Sequence, residues 1–385
     1  MESEKMIYLD NAATTRMSDK VANAMRKYMV EDYYNPSAIY ENAYKCMKVV
    51  ENSKEIIAGA INCSSDEIYI TSGGTESDNW VLKGVANAYK DKGNHIIVSK
   101  IEHHAILNTC KYLEEMGYDV TYLNVDENGC VNLNELKSAI KKETILISIM
   151  YANNEVGTLQ PIEQIGQIAK RYNILFHTDA VQAFGHIPID VNRLNIDMLS
   201  ASSHKFGGPK GVGFLYVKNG LKMKPLIHGG SQENGMRGGT TNVSGIVGMA
   251  EAIKDSMINM RARMAYEIRL RDYMINRILR EIPFCKLNGD RFKRLPNNIN
   301  IGFKNVEGHS IIALLSDEEI CASTGSACSS GDNDASHVLK AMRIQKDFLQ
   351  GAVRFTISHE NTKGEIDIVV NKLKEIIYKL RENVI

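Results

Sequence analysis

The scarcities of this sequence narrow its class before any motif is read. Its seven cysteines, at positions 46, 63, 110, 130, 285, 321 and 328, form no CxxC pair and no short Cys/His spacing of the zinc type. So odd and scattered a set argues against a disulfide framework and suits a reducing cytoplasm, where free thiols persist. The longest mainly aliphatic run, Ile145–Met150, is far too short to span a bilayer. The opening MESEKMIYLD carries acids where a secretory leader has a basic stretch and then an apolar one. Charge of one sign is also missing: 46 Lys and Arg balance 46 Asp and Glu, leaving no net field to hold a nucleic acid or an anionic membrane. No Pro-rich, Gly/Ser-rich or single-charge tract interrupts the chain, and it contains no internal repeat. The expectation is a cytoplasmic protein with no membrane partner and no direct nucleic-acid partner.

What is present is an ordinary globular mixture, 44% apolar and 24% charged over 385 residues. At about 150 residues per domain that length suggests two domains, or a large one with a smaller companion. Apolar β-type runs at 67–71, 95–99, 120–123, 144–150, 174–178, 197–200 and 212–217 alternate with amphipathic stretches at 75–90, 104–116, 132–141 and 162–172. This alternation predicts an α/β fold with a mainly parallel sheet. From Val243 to about Arg280 the pattern reads as one long helical tract. Short strands at 298–303, 319–322 and 353–358, with helices at 308–315, 334–342 and 363–380, then predict a second, smaller α/β unit.

Several residues in this frame are suited to chemistry. Thr71-Ser72-Gly73-Gly74-Thr75-Glu76-Ser77 follows a strand and opens a helix. Its glycines let backbone amides approach an anion such as phosphate; a Gly-rich turn with an early Glu as helix cap fits the same residues. Lys205, within Ser202-Ser203-His204-Lys205-Phe206-Gly207-Gly208-Pro209, lies just past a strand end, where α/β sheets present ligands. A desolvated lysine there is nucleophilic toward an aldehyde, and a solvated charge is the plain alternative. Asp179, in His177-Thr178-Asp179-Ala180-Val181-Gln182, suits either a partner for a protonated pyridine nitrogen or a helix N-cap. The pair His103-His104 follows a third strand. An imidazole there could stack on an aromatic ring and move protons, whereas two adjacent histidines with no third ligand nearby argue against a metal. Cys328 sits in the small-residue, turn-rich stretch Ser323 to Asp334, where a thiol should be mobile, exposed and reachable. Arg354 could clamp a carboxylate bidentately or form a structural salt bridge.

Together these segments resemble the cysteine desulfurases of the NifS/IscS type, class V aminotransferase-family members with fold type I that use pyridoxal 5′-phosphate. The resemblance runs through YLDNAATT (8–15), TSGGTESDN (71–79), Glu102-His103, NNEVG (153–157), HTDAVQ (177–182), SSHKFGGPKGVG (202–213), GMRGGT (235–240), STGSACSS (323–330) and VRFTIS (353–358). It implies a large cofactor-binding domain over 15–260 and a small domain of 1–14 with 261–385, carrying a mobile cysteine loop at about 322–334. It further implies that Lys205 condenses with the cofactor aldehyde, Asp179 pairs with the ring nitrogen, Gln182 reaches the phenolic oxygen and His103 stacks on the ring. Gly74, Thr75, Ser202 and His204 would hold the phosphate, with Thr240 entering from the second subunit of a homodimer. Asn35, Asn154 and Arg354 would orient L-cysteine. In the implied reaction Lys205 is the base for the α-proton, His103 an acid/base partner, and Cys328 the thiolate that takes sulfur as a persulfide while alanine forms. The sulfur would pass to an iron–sulfur scaffold protein or another acceptor, tRNA thiolation being a further outlet. A selenocysteine lyase, or another class V pyridoxal enzyme, is the alternative with the same lysine, aspartate and histidine. Two departures from the family pattern stand out: Arg16 replaces a frequent proline, and Tyr40 replaces a usual histidine.

Overall fold

Every residue of the runs at 95–99 and 144–148 is buried, as strands are when helices cover both faces of their sheet. The structure, a computed structural model, describes residues 6–324 and 336–382. Its strands are β1 (Ile7–Tyr8), β2 (Ile68–Thr71), β3 (His95–Ser99), β4 (Asp119–Leu123), β5 (Thr144–Ser148) and β6 (Leu175–Asp179). They continue with β7 (Met198–Ser202), β8 (Gly213–Val217), β9 (Cys285–Leu287), β10 (Asn298–Phe303), β11 (Ile320–Cys321) and β12 (Ala352–Thr356). The helices are α1 (Asp19–Val30), α2 (Glu41–Ile61), α3 (Gly74–Tyr89), α4 (His104–Glu115), α5 (Leu133–Ala139) and α6 (Ile162–Tyr172). After them come α7 (Val243–Ile258), α8 (Met260–Glu281), α9 (Gly308–Asp317), α10 (His337–Ala341), α11 (Lys346–Leu349) and α12 (Lys363–Glu382).

Seven strands form the main sheet in the order β2-β8-β7-β6-β5-β3-β4, parallel throughout except that β8 runs against both of its neighbours. The expected α/β class with a mainly parallel sheet is therefore the observed one. Alternation along β3 shows how the faces are filled: Ile97 joins a core with Phe176 and Ile57, while Ile96 and Val98 join the opposite core with Trp80 and Leu215. A separate three-stranded antiparallel sheet, β12-β10-β9, packs with α8, α9 and α12 around Ile299, Phe303, Phe355 and Leu373. The N-terminal strand β1 pairs with β11 beside this second core, so the chain begins there and then crosses to the large sheet.

The tract from Val243 onward departs from expectation. It is two helices, α7 and α8, because Asn259 between them leaves the helical region at φ −125° and ψ 25°. Asparagine disfavours a helix interior, since its amide competes for backbone hydrogen bonds. Among the described residues no helix is long and apolar enough to cross a membrane.

The sheet's geometry sets up the site. The C-terminal ends of β2, β3, β5, β6 and β7 open on one edge, the place where open α/β sheets hold ligands. Gly213 lets β8 lie against that edge: a Cβ there would fall 2.4 Å from Ala201 O and 2.7 Å from Gly73 Cα, both unyielding backbone. Gly213→Ala should lower stability in urea unfolding by about 1–3 kcal/mol. An unchanged urea midpoint would show that the backbone approach has slack.

Candidate active site

A cavity of about 420 Å3 lies at these strand ends. Its first wall is the turn from β2 into α3. Gly73 adopts φ 147°, a conformation side chains rarely take, and so brings the helix start over the sheet. The turn is fastened at both ends: Thr71 Oγ1 meets Ser77 Oγ at 2.9 Å, and Glu76 accepts the Ser72 N–H at 2.8 Å. Arg237 holds Glu76 in turn with two hydrogen bonds, at 2.9 and 3.1 Å. Gly74 and Thr75, the first residues of α3, line the cavity with N–H groups that have no acceptor within the helix. Such a helix start has the chemistry to take an anion; at Gly74 a Cβ would strike Val181 at 2.6 Å, so glycine is what lets the helix end approach the turn after β6.

The floor is acidic. Asp179 ends β6, 6% exposed, and its Oδ1 accepts the Val181 N–H at 2.9 Å within the turn that follows; no helix starts there among the described residues, so the N-cap weighed from sequence is not what the structure has. Asp78, one turn into α3, is 1% exposed and faces the same cavity, and its Oδ1 has no hydrogen-bond partner among the described residues. Burial raises both carboxyls above the usual range, and the charge of Asp179 lifts Asp78 further. Asp78 Oδ1 lies 3.7 Å from His177 Nε2, but this is no ion pair. Burial pushes His177 down to about 3, and its ring is spent between Ser148 Oγ and Ser200 Oγ at 2.8 and 3.0 Å.

Lys205, just after β7, reaches into the cavity and donates from Nζ to the carbonyls of Ala12 and Ala13 at 2.6 and 2.9 Å. Gln182 Nε2 donates to the same Ala12 carbonyl at 3.0 Å. The segment arriving from the small sheet thus supplies acceptors for two cavity residues. His204 Nδ1 meets Thr14 Oγ1 at 3.1 Å, and Ser202 is buried beside it. His103 caps α4, its Nδ1 accepting the Ala105 N–H at 3.1 Å, so a neutral ring carries its proton on Nε2. Burial, together with the nearby positive charge of Lys205, pushes its pKa down to about 4. Arg354, 2% exposed on β12, donates to Asp10 Oδ1 at 2.8 Å and to Asn154 O at 3.1 Å. Its buried Nε has no partner among the described residues. The salt bridge foreseen as an alternative exists, and Arg354 lines the cavity as well.

Of the residues singled out from sequence, Gly74, Thr75, His103, Asn154, Asp179, Gln182, Ser202, His204, Lys205 and Arg354 all line this cavity. Asn35 and Thr240 do not line it in the single chain; both are exposed. The Asn35 side chain is spent on its own turn, accepting the Ser37 N–H at 3.0 Å. Cys328 lies outside the described residues. Sequence reasoning missed Asp78, Asp10 and the Ala12 and Ala13 carbonyls. Asp78 had a signal, since it stands one helical turn after Gly74 and so shares its face.

The family model of class-V aminotransferases matches residues 7–369. The chain belongs to that family. It is 50% identical over 378 residues to a cysteine desulfurase IscS of Dictyoglomus turgidum, covering 98% of this chain and 96% of the relative. A Methanosarcina thermophila cysteine desulfurase IscS is 49% identical over 377 residues, covering 98% of this chain and 93% of the relative. Among solved structures, a NifS-like protein superposes with TM-score 0.92 at 38% identity, over 97% of this chain and 100% of the other. A structure of SspA in complex with cysteine gives TM-score 0.82 at 36% identity, over 92% of this chain and 100% of the other.

The residues present suit pyridoxal 5′-phosphate. The α3 amides fit a phosphate, the unpartnered Asp78 oxygen and the buried Asp179 fit a cationic ring nitrogen better than an apolar group, and Lys205 supplies the amine an aldehyde needs. For His103, ring NMR of the selectively labelled protein should show a neutral Nε2–H tautomer at pH 7 and a titration midpoint near 4. A midpoint at the ordinary value of 6.5 would contradict the burial argument.

Proposed function

We propose that this chain converts L-cysteine to L-alanine as a pyridoxal 5′-phosphate-dependent cysteine desulfurase, taking the sulfur onto Cys328 as a persulfide for iron–sulfur cluster assembly. The observation that carries the reading is the meeting of Lys205, Asp179, the α3 N-terminus and Arg354 in one cavity. Gly74, Thr75, Ser202 and His204 would hold the cofactor's phosphate, Asp179 its ring nitrogen, Gln182 its phenolic oxygen, His103 its ring face and Lys205 its aldehyde carbon. When bound, the cofactor supplies an electron sink that makes the substrate's α-proton acidic. Thr240 of the partner subunit would complete the phosphate site in a homodimer.

The chain's own residues then divide the work. Arg354 takes the substrate carboxylate, with Asn154 and Asn35 orienting the amino acid. Lys205 Nζ, held in the described state by two carbonyls, removes the α-proton, and neutral His103 exchanges a proton at Nε2. Cys328, as thiolate, attacks the substrate sulfur. A sulfur–sulfur bond forms, the carbon–sulfur bond breaks, its electron pair stays on the substrate carbon, and a proton there completes the methyl group of alanine. The other thiols support this choice of nucleophile. Burial raises Cys46, Cys130 and Cys321 above the ordinary thiol value, Cys285 to about 11, and Cys63 and Cys110 to about 12. Thiols held protonated in this way are poor nucleophiles.

Lys205→Ala should abolish the visible absorption of the lysine-bound cofactor and lower alanine formation by about 100- to 10,000-fold. Cys328→Ser should keep the absorption and gain no sulfur. An unchanged spectrum in the first variant would mean that another lysine is the anchor, and sulfur gained at Cys321 in the second would move the nucleophile.

A further inference from the structure

Lys205 is gripped at its backbone as well as at its amine. The turn that follows β6 starts from Asp179 and runs through Gln182 to His186. It is closed by hydrogen bonds from the Phe184 N–H to the Ala180 carbonyl at 2.8 Å and from the His186 N–H to the Ala183 carbonyl at 3.1 Å. His186 Nε2 donates to the Lys205 carbonyl at 2.9 Å. A carbonyl only accepts, so a neutral ring carries its proton on Nε2. Burial, helped by the positive charges of Arg263 and His359, keeps the ring neutral by pushing its pKa down to about 4. The turn is fixed from behind, because Arg263 Nη2 of α8 donates to the Gly185 carbonyl at 3.1 Å and to the Ser256 carbonyl of α7 at 2.7 Å. Phe184 and Phe206 meet edge to face, ring centroids 5.0 Å apart, and pack the two segments together beside the His186 bond. Thr15 steadies the other side of Lys205: its Oγ1 donates to the His204 carbonyl at 2.8 Å and accepts the Gly207 N–H at 2.7 Å.

His186 does not line the cofactor cavity, and the steps proposed for the reaction do not use it. What it joins is the turn carrying Asp179 to the residue that must meet the opposite side of the same ring. A pyridine ring is rigid, and its nitrogen lies across from the carbon that bears the aldehyde. The carboxylate that holds the nitrogen and the amine that attacks the aldehyde must therefore keep a spacing set by the ring. Pairing of β6 with β7, which ends at Asp179 and Ser200, sets that spacing only as far as the strand ends, and Lys205 lies beyond them. We propose that His186 is a positioning residue for Lys205: by tying the Lys205 carbonyl to the Asp179 turn, it keeps the amine at the distance from Asp179 that the ring requires. The inference rests on the reading of Lys205 as the cofactor's anchor. The geometry predicts a narrow effect, on the lysine's own reaction, because Asp179 and the N-terminus of α3 are held by other bonds.

The test uses the full chain freed of cofactor, with two probes. Pyridoxal 5′-phosphate bonds Lys205, the aldehyde oxygen leaving as water while the carbon–nitrogen double bond forms, and capture is read as the rate at which visible absorption appears. Pyridoxamine 5′-phosphate carries an amine in place of the aldehyde and cannot condense with a lysine, so its dissociation constant reads the phosphate and ring contacts alone. A misplacement on the order of 1 Å costs about 100-fold in rate. His186→Ala, and His186→Leu, which keeps the volume but has no donor, should slow capture by roughly 10- to 100-fold while pyridoxamine 5′-phosphate affinity stays within about twofold. His186→Gln, whose side-chain N–H can still donate to the Lys205 carbonyl, should return capture to within about threefold of the native rate. His186→Leu carries the test where His186→Ala does not fold. Capture at the native rate in the variants without a donor, a parallel loss of capture and pyridoxamine 5′-phosphate affinity, or a glutamine variant as slow as the leucine one each overturn the inference. If the native protein develops no such absorption, or Lys205→Ala develops it equally, the anchor reading fails and the inference with it; native capture that the His186 variants leave unchanged overturns the inference alone.

Discussion

Buried negative charge is the constraint around which this molecule is arranged. Asp179 and Asp78 face one cavity from beneath, and two carboxylates removed from water repel each other and cost several kcal/mol apiece unless matched. Arg354 offers little relief, since its guanidinium is already paired with Asp10. The ammonium of Lys205, which donates to the Ala12 and Ala13 carbonyls, offsets the burial of Asp179 only in part, since that carboxyl stays raised to about 6. Such a floor suits a ligand that brings its own positive charge, and a protonated ring nitrogen is a compact way to supply it.

The rest of the fold serves to hold that floor and the N-terminus of α3 in register. Parallel strands bring their C-terminal ends to one edge, so residues far apart in sequence meet without long excursions. The small sheet contributes by reaching across: Asn298 and Arg354 bond the Asn154 carbonyl, Asn300 bonds that of Glu155, and Arg294 bonds that of Val156 at 2.8 Å. Successive carbonyls of one loop are thereby pinned from the second core, and the N-terminal Ala12 and Ala13 close the link by accepting from Gln182 and Lys205. Asn154, Gln182, Lys205 and Arg354 are thus held by the contact between two cores rather than by either alone.

Much of this was legible in sequence because the signals were local. Short, near-continuous apolar runs marked the strands of the large sheet, residues just past their ends such as Gly74, His103, Asp179 and Lys205 marked its ligand edge, and the family resemblance added Asn154 and Gln182 to the residues that line the cavity. What escaped depended on tertiary contact. Nothing local to Asp10 or Ala12 announces that Arg354 or Lys205 will arrive, and Asn259 breaks a helical tract whose apolar pattern runs straight through it. Asn35 shows the converse, a residue drawn in by motif whose side chain, in the single chain, is used by its own turn.

The central claim, that Asp179 is there to hold a cation on the bound ring, can be read directly by nitrogen NMR. With cofactor carrying labelled ring nitrogen, the native protein at neutral pH should give the resonance of a protonated pyridine, and Asp179→Asn should give that of the unprotonated ring. An unprotonated nitrogen in the native protein, or the same resonance in both, would contradict the account.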